Sequence, residues 1–140
     1  MEVLGWKEWG RLPDIGIDAI HMKVDTGAKT SCLHAFKLEP FEKDGQPWLR
    51  VFVHPHQDSL EEHIFEAPIH DQREVTDSGG HTEVRYVIRT RLCLGAFEGP
   101  IELTLTNRDT MKFRMLLGRQ AMRKRFMVNP ELAHQLGERT

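Results

Sequence analysis

No apolar run in this chain approaches the roughly 20 residues that a helix needs to cross a bilayer, so no membrane association is expected. Cysteine is also scarce. Cys32 and Cys93 are the only two, too few for a fold stapled by several bridges, and both are expected as reduced thiols packed as small apolar groups. Neither sign of charge dominates: 19 Lys and Arg against 21 Asp and Glu leave a net charge of −2. Nonspecific nucleic-acid binding rests on a basic surplus, so nucleic acid is not expected as a partner. The opening stretch Met1–Glu8 is too charged between its apolar residues to read as a secretory leader, which makes the cytoplasm the expected compartment. Repeats, low-complexity tracts and a linker are missing too, and the length of 140 residues implies one domain, 1–140.

Alternation with period two is what the chain does have, and that period belongs to strands. Ile20, Met22 and Val24 alternate with His21 and Lys23; Leu49, Val51 and Val53 with Arg50 and Phe52; Ile101, Leu103 and Leu105 with Glu102, Thr104 and Thr106. Val84, Tyr86, Ile88, Leu92 and Leu94 share one parity, with Arg85, Arg89 and Arg91 on the other. Gly95 to Pro100 reads as a hairpin connection between two such runs. Helix signals are few and late: Arg119–Arg125 after Gly118, and a stretch opened by Asn129-Pro130 and stopped by Gly137. Many short strands with one or two short C-terminal helices imply a mainly β, closed-barrel fold. Asp71 to Thr82 reads as a hairpin tip.

Asp25-Thr26-Gly27-Ala28 ends the first of these strands, and Met115-Leu116-Leu117-Gly118-Arg119 follows far downstream. Taken alone, Asp-Thr-Gly is a common turn string. At the end of an apolar strand, paired with a later apolar-apolar-Gly, it matches how an aspartic-protease lobe presents its carboxylate. Asp25 would supply that carboxylate, and Thr26 a hydroxyl able to reach across a two-fold axis. Gly27 and Ala28 keep the loop small, while Thr30 and Ser31 place hydroxyls behind it. This chemistry needs two carboxylates sharing a proton. The chain has one Asp-Thr-Gly and is too short for two lobes, so a symmetric homodimer pairing Asp25 with its own copy is expected.

His21 to Ala35 (HMKVDTGAKTSCLHA), with Val3–Trp6, Leu12–Gly16 and Ile101–Pro130, resembles the bacterial small retropepsin-like family, RimB-like, whose members carry the name ATP-dependent zinc protease. The resemblance covers nearly the whole chain. It implies a closed β-barrel of the acid-protease fold, with Asp25, Thr26 and Gly27 catalytic, hence an aspartic endopeptidase. It places Ser78, Gly79 and Gly80 near a flap that, with Ala28 and Arg85, would bind substrate. Thr30, Ser31, Leu117, Gly118, Arg119 and Arg108 would support the catalytic loop. The resemblance also implies a functional link to an ATP-grasp glutamate ligase and a glutamate-extended ribosomal protein as substrate. Arg85, Arg89 and Arg91 on one strand parity, with Lys29, Arg108 and Arg119 near the motifs, would suit such an acidic peptide; the alternative is an ordinary solvated strand face, since exposed faces are normally charged.

The residues do not match the words zinc and ATP in that family name. The chain has eight histidines, His54-Pro55-His56 closest together, with His63, His70 and His81 following. None forms His-Glu-x-x-His, no Cys-x-x-Cys is present and no phosphate-binding G-x-x-x-x-G-K-[ST] loop occurs. No metal and no cofactor are therefore expected. A zinc hydrolase using histidines and a non-catalytic peptide-binding module of the same fold stand as the alternatives. Trp6, Trp9 and Trp48 read as packing residues.

Overall fold

The computed structural model describes residues 1–76, 79–107 and 112–137. Among these residues twelve strands run in chain order: β1 (Glu2–Leu4), β2 (Lys7–Leu12), β3 (Ile17–Val24), β4 (Ser31–His34), β5 (Lys37–Lys43), β6 (Gln46–Val53), β7 (His63–Pro68), β8 (Asp71–Thr76), β9 (Thr82–Leu94), β10 (Phe97–Thr106), β11 (Met115–Leu117) and β12 (Phe126–Val128). A 3-10 turn, Pro13–Ile15, joins β2 to β3, and Gly16 closes it at φ 76°, a left-handed conformation that suits glycine. The only α-helix among the described residues is the single turn α1 (Arg119–Met122).

Six strands pair in the order β10-β4-β11-β3-β2-β9, and β9 pairs back onto β10. The sheet thus closes into a barrel, which removes the open edges a flat sheet would expose. The expected fold class, a mainly β closed barrel consistent with the retropepsin type, is what the chain adopts. The long β9 overruns the barrel and carries β8 along its outer edge. A second sheet, β5-β6-β7, folds over the barrel with its inner face of Leu49, Val51, Val53, Phe65 and Ala67 in the same apolar core. Its outer face alternates aromatic and charged residues, with Lys43 over Trp48 and Arg50 bonded to Glu66.

Period two explains most of the core. Ile20 and Met22 of β3, Leu103 of β10 and Met115 of β11 are fully buried, each worth about 1.5–3 kcal/mol over exposure. β9 is less regular than its alternation suggests. Val84 is exposed while both Val87 and Ile88 are buried, because only the C-terminal part of the strand lies between barrel neighbours. The hairpin connection is narrower than expected: only Gly95 and Ala96 lie between the strands, and Phe97–Pro100 already belong to β10. Likewise Asp71–Thr76, expected within a hairpin tip, is strand, and β9 already begins at Thr82.

Two helix expectations are corrected. The first helix stops at Met122 rather than Arg125. The second does not form: 129–137 is an irregular strap of turns. Its main-chain groups are claimed by other elements, with the Asn129 N–H on the Leu4 carbonyl, the Leu132 carbonyl on the Trp6 N–H and the His134 N–H on the Lys7 carbonyl. Tertiary bonds of this kind outcompete a helix this short. The strap also surrounds the completely buried Glu8, whose carboxylate accepts N–H groups from Gly5, Gln135 and Leu136 at 2.7, 3.0 and 3.1 Å.

Candidate functional site

Asp25 sits where β3 leaves the sheet. β11 lies between β3 and β4, parallel to the first (Leu117 opposite Val24) and antiparallel to the second (Leu116 opposite Cys32). That insertion brings the two sequence motifs together. The Asp25 N–H donates to the Leu117 carbonyl at 2.9 Å, and the Gly118 N–H donates to Ser31 Oγ at 3.0 Å. A Cβ at Gly118 would lie 2.6 Å from the Thr30 carbonyl carbon and 2.8 Å from the Ser31 nitrogen, so only glycine fits. Thr30 therefore meets this strand through its main chain, and Ser31, buried, through its hydroxyl. The Ser31 carbonyl in turn accepts the Thr104 hydroxyl at 3.2 Å.

The loop folds back on itself. Gly27 N–H donates to Asp25 Oδ1 at 3.0 Å and Ala28 N–H to the Asp25 carbonyl at 3.2 Å. One carboxylate oxygen is thereby oriented, and a Cβ on Gly27 would come within 3.2 Å of it. Asp25 itself is half-buried, while the side chains of Thr26 and Lys29 are exposed. The first turn after Gly118 clamps the loop from the far side: Arg119 and Gln120 N–H groups donate to the Ala28 and Lys29 carbonyls at 2.8 and 3.0 Å, and Arg119 Nη1 donates to the Thr26 carbonyl at 3.0 Å.

The structure thus gathers Asp25, Thr26, Gly27, Ala28, Thr30, Ser31, Leu117, Gly118 and Arg119. Ser78 and Arg108 lie outside the described residues. Gly79 and Gly80 are exposed at the end of the β8–β9 hairpin, Gly80 at φ 83°. The Arg85 side chain lies along that hairpin with its Nε 2.6 Å from Glu83 and little exposure, 13%. That pairing competes with the acidic ligand for which Arg85 was singled out.

Other features were not singled out in the sequence. An open apolar recess beside the loop is walled by Thr26, Met122, Phe126 and Val128, with Arg119 and Arg123 at its rim. Arg123 also borders a polar groove with Ser31, Arg89, Glu102, Gln120 and Arg125. Glu102 is held by Arg73, whose guanidinium is 2.8 Å away. The dense run of arginines from 119 to 125 is the available signal, which beyond Arg119 reads only as a helix.

Cys32 and Cys93 are not joined in a disulfide. Several histidines have structural tasks: His63 Nε2 donates to the Ile15 carbonyl at 2.6 Å, His54 stacks on Phe36, and His21 stacks on Trp9. Among the described residues, no group of three or more His, Cys, Asp or Glu side chains is placed to hold a metal ion, and no helix is long and apolar enough to cross a membrane.

Comparison with known proteins places this geometry. In sequence, the chain is 51% identical over 137 residues to a protein of Parasynechococcus marenigrum and 44% identical over 138 residues to one of Desulfotalea psychrophila, both named "Probable alpha-L-glutamate ligase". The matches cover 97% and 98% of the chain but only 29% and 30% of those longer proteins. In structure, it superposes on a Legionella pneumophila protein of unknown function with a TM-score of 0.80 at 29% identity, covering 96% of this chain and 98% of the other. Residues 3–136 match the model of a family described as retropepsin-like aspartic endopeptidase RimB. With that match and the barrel agreeing over the same residues, the chain belongs to the RimB-like family of retropepsin-like proteins.

Proposed function

We propose that the chain is one domain and one half of a homodimeric aspartic endopeptidase, with the Asp25 carboxylates of two copies forming the catalytic pair. The observation that carries this reading is the pairing of Asp25 with Leu117-Gly118 across an inserted strand, which holds one carboxylate oxygen and leaves the loop at the surface. Two such carboxylates brought together share one proton, because both cannot ionise at short range. The ionised one takes a proton from water as the oxygen attacks the peptide carbonyl. The protonated one stabilises the developing oxyanion, and a proton then passes to the leaving nitrogen.

Thr26 and Gly27 complete the loop, and Ala28 keeps the approach open. Thr30, Ser31, Leu117, Gly118 and Arg119 hold it in place. The apolar recess next to Thr26 supports a second copy at this face, since an exposed apolar surface beside an incomplete site is stabilised by coverage. Gly79 and Gly80, at the end of the β8–β9 hairpin, would close over an extended peptide.

The substrate we propose is a glutamate-rich protein tail, of the kind a glutamate ligase adds to a ribosomal protein. Two observations support it: the longer relatives bear the name of such a ligase, and the groove behind the loop carries Arg89, Arg123 and Arg125. In this reading an ATP-grasp ligase is the functional partner and the reaction needs no metal.

The test is hydrolysis of a peptide ending in several glutamates, followed by mass spectrometry, with sedimentation on the same samples. Wild-type protein should cleave as a dimer. Asp25→Asn should remain folded and dimeric and lose cleavage by several orders of magnitude. Full activity in Asp25→Asn would sink the aspartic mechanism, and activity lost to a chelator and restored by zinc would favour a histidine-metal hydrolase. Peptide binding without turnover at any pH would reduce the chain to a binding module.

A further inference from the structure

His21 lies on β3, four residues before Asp25, and its imidazole is caught on both sides. Nδ1 is 2.8 Å from Gln57 Oε1, and Nε2 is 2.9 Å from Nε2 of His134 in the C-terminal strap. The Gln57 amide nitrogen donates to the Lys112 carbonyl at 2.7 Å. A carbonyl can only accept, so this bond fixes which end of the amide faces His21: its oxygen. His21 therefore carries its proton on Nδ1 and offers a bare Nε2, and His134 must be the donor between the rings.

That arrangement counts protons. His134 can be neutral or cationic and still donate; when cationic, it makes the stronger, charge-assisted bond. A second proton would have to go on His21 Nε2, the atom that accepts the bond. Two donors would then face each other on two positive rings. The contact survives with at most one extra proton and is lost with two.

We propose that His21 and His134 form a proton-operated clasp that holds the strap 129–137 on the barrel at neutral pH and releases it on acidification. The strap is placed to pass that release on. Its Leu132 carbonyl accepts the Trp6 N–H, and the Trp6 carbonyl accepts the N–H of Val24, the residue before Asp25. His134 adopts φ 52°, a left-handed conformation unfavourable for a side chain with a Cβ, so the strap is strained at the residue that makes the bond.

Other side chains pack closely around the pair. Trp9 stacks on His21 at 4.4 Å and Phe113 packs at 5.0 Å. A cavity beside the ring, roomy enough for water, is walled by Trp9, Pro55, His56, Gln57 and Asp58. Lys7 and Lys23 form a registered pair one step along the same strand faces. On the strap side, Glu8 holds the main chain of Gln135 and Leu136.

The sign follows from proton counting. The released form binds one proton more than the clasped form, so lowering pH favours release, with a limiting slope of about tenfold in the opening constant per pH unit.

Hydrogen exchange of the strap peptide in the intact chain, corrected for intrinsic rates and followed from pH 7.5 to 5.5, tests this without any activity measurement. It can therefore fail while the protease reading stands, or the reverse. Wild-type strap exchange should rise towards that slope. His134→Phe should be open already at pH 7.5 and flat with pH, while the Glu8 latch remains in both proteins. A flat wild-type profile, or the same slope in His134→Phe, overturns the clasp. Should the variant not fold, nitrogen NMR of the wild-type ring at pH 7.5 decides: a proton on His21 Nδ1 is required, and a proton on Nε2 refutes it.

Discussion

Gly118→Ala tests whether the apolar-apolar-Gly segment holds the Asp25 loop as the geometry implies. Gly118 has φ −93° and ψ 171°, extended values that alanine adopts freely, so the backbone raises no objection. Against the unfolded chain alone, the substitution would stabilise by about 0.4–1 kcal/mol. The new Cβ, however, would stand 2.6 Å from the Thr30 carbonyl carbon and 2.8 Å from both the Thr30 oxygen and the Ser31 nitrogen. All three are main-chain atoms that cannot swing aside. Overpacking of this kind costs about 1–3 kcal/mol, and its backbone character puts it at the upper end. Separating Gly118 from Ser31 Oγ loses a buried hydrogen bond worth about 1 kcal/mol. The clash outweighs the entropy gain, for a net loss of about 3 kcal/mol, or a melting temperature lower by about 10 °C at this chain length.

Thermal unfolding by circular dichroism measures that loss, and amide NMR shifts locate it. Gly45→Ala is the control. Nothing lies within 4 Å of a Cβ at Gly45, but φ is 76°, so the cost is about 1–2 kcal/mol from the backbone alone. It should leave the amide shifts of Asp25 to Ser31 unmoved. A melting temperature for Gly118→Ala equal to or above wild type would refute the close-packing argument. So would a loss without movement of the Asp25 loop.

Two further outcomes follow from groups away from the loop. Glu8→Gln replaces one acceptor oxygen of a fully buried carboxylate, which three N–H groups address, by an amide donor. At least one donor is left unsatisfied, which should cost about 1–3 kcal/mol in urea unfolding; an unchanged midpoint would show that the latch is not formed. Asp71 has its carboxyl held below the ordinary value, first by the hydrogen bond from Arg73 and next by the Gln72 N–H. A depressed carboxylate stabilises the fold above its unfolded value and loses that contribution as pH falls through the folded one. In Arg73→Ala the Asp71 carboxyl carbon should titrate at higher pH by NMR, while the remaining Gln72 bond keeps part of the depression.

Legibility in the sequence tracked how local the physics was. β3, β6, β9 and β10 were visible because each contains a stretch of alternating apolar side chains, a pattern written residue by residue. The second helix failed for the opposite reason. Asn129-Pro130 and Gly137 are sound local signals, but Leu4, Trp6, Lys7 and Glu8 take the strap's main-chain groups. Short strands such as β1, β4 and β12 carry too few residues for an alternation to show, and β2 hides its own because the side it buries holds Glu8 and Gly10. Glu8 and His134 also escaped, since a buried carboxylate and a ring-to-ring bond reveal themselves only when distant segments meet.

By itself the sequence determined the strand-rich class, the Asp25-Thr26-Gly27 loop at a strand end and the Leu117-Gly118 element that answers it. All of these depend on side-chain period and turn chemistry within a few residues. Only the tertiary structure decided that β11 slots between β3 and β4, that β9 returns to close on β10, and that the strap lies over Trp6 and His21. Those choices join residues up to 128 positions apart. Their free energy lies in satisfying main-chain groups and covering apolar faces together, a property of the closed barrel that no local stretch possesses.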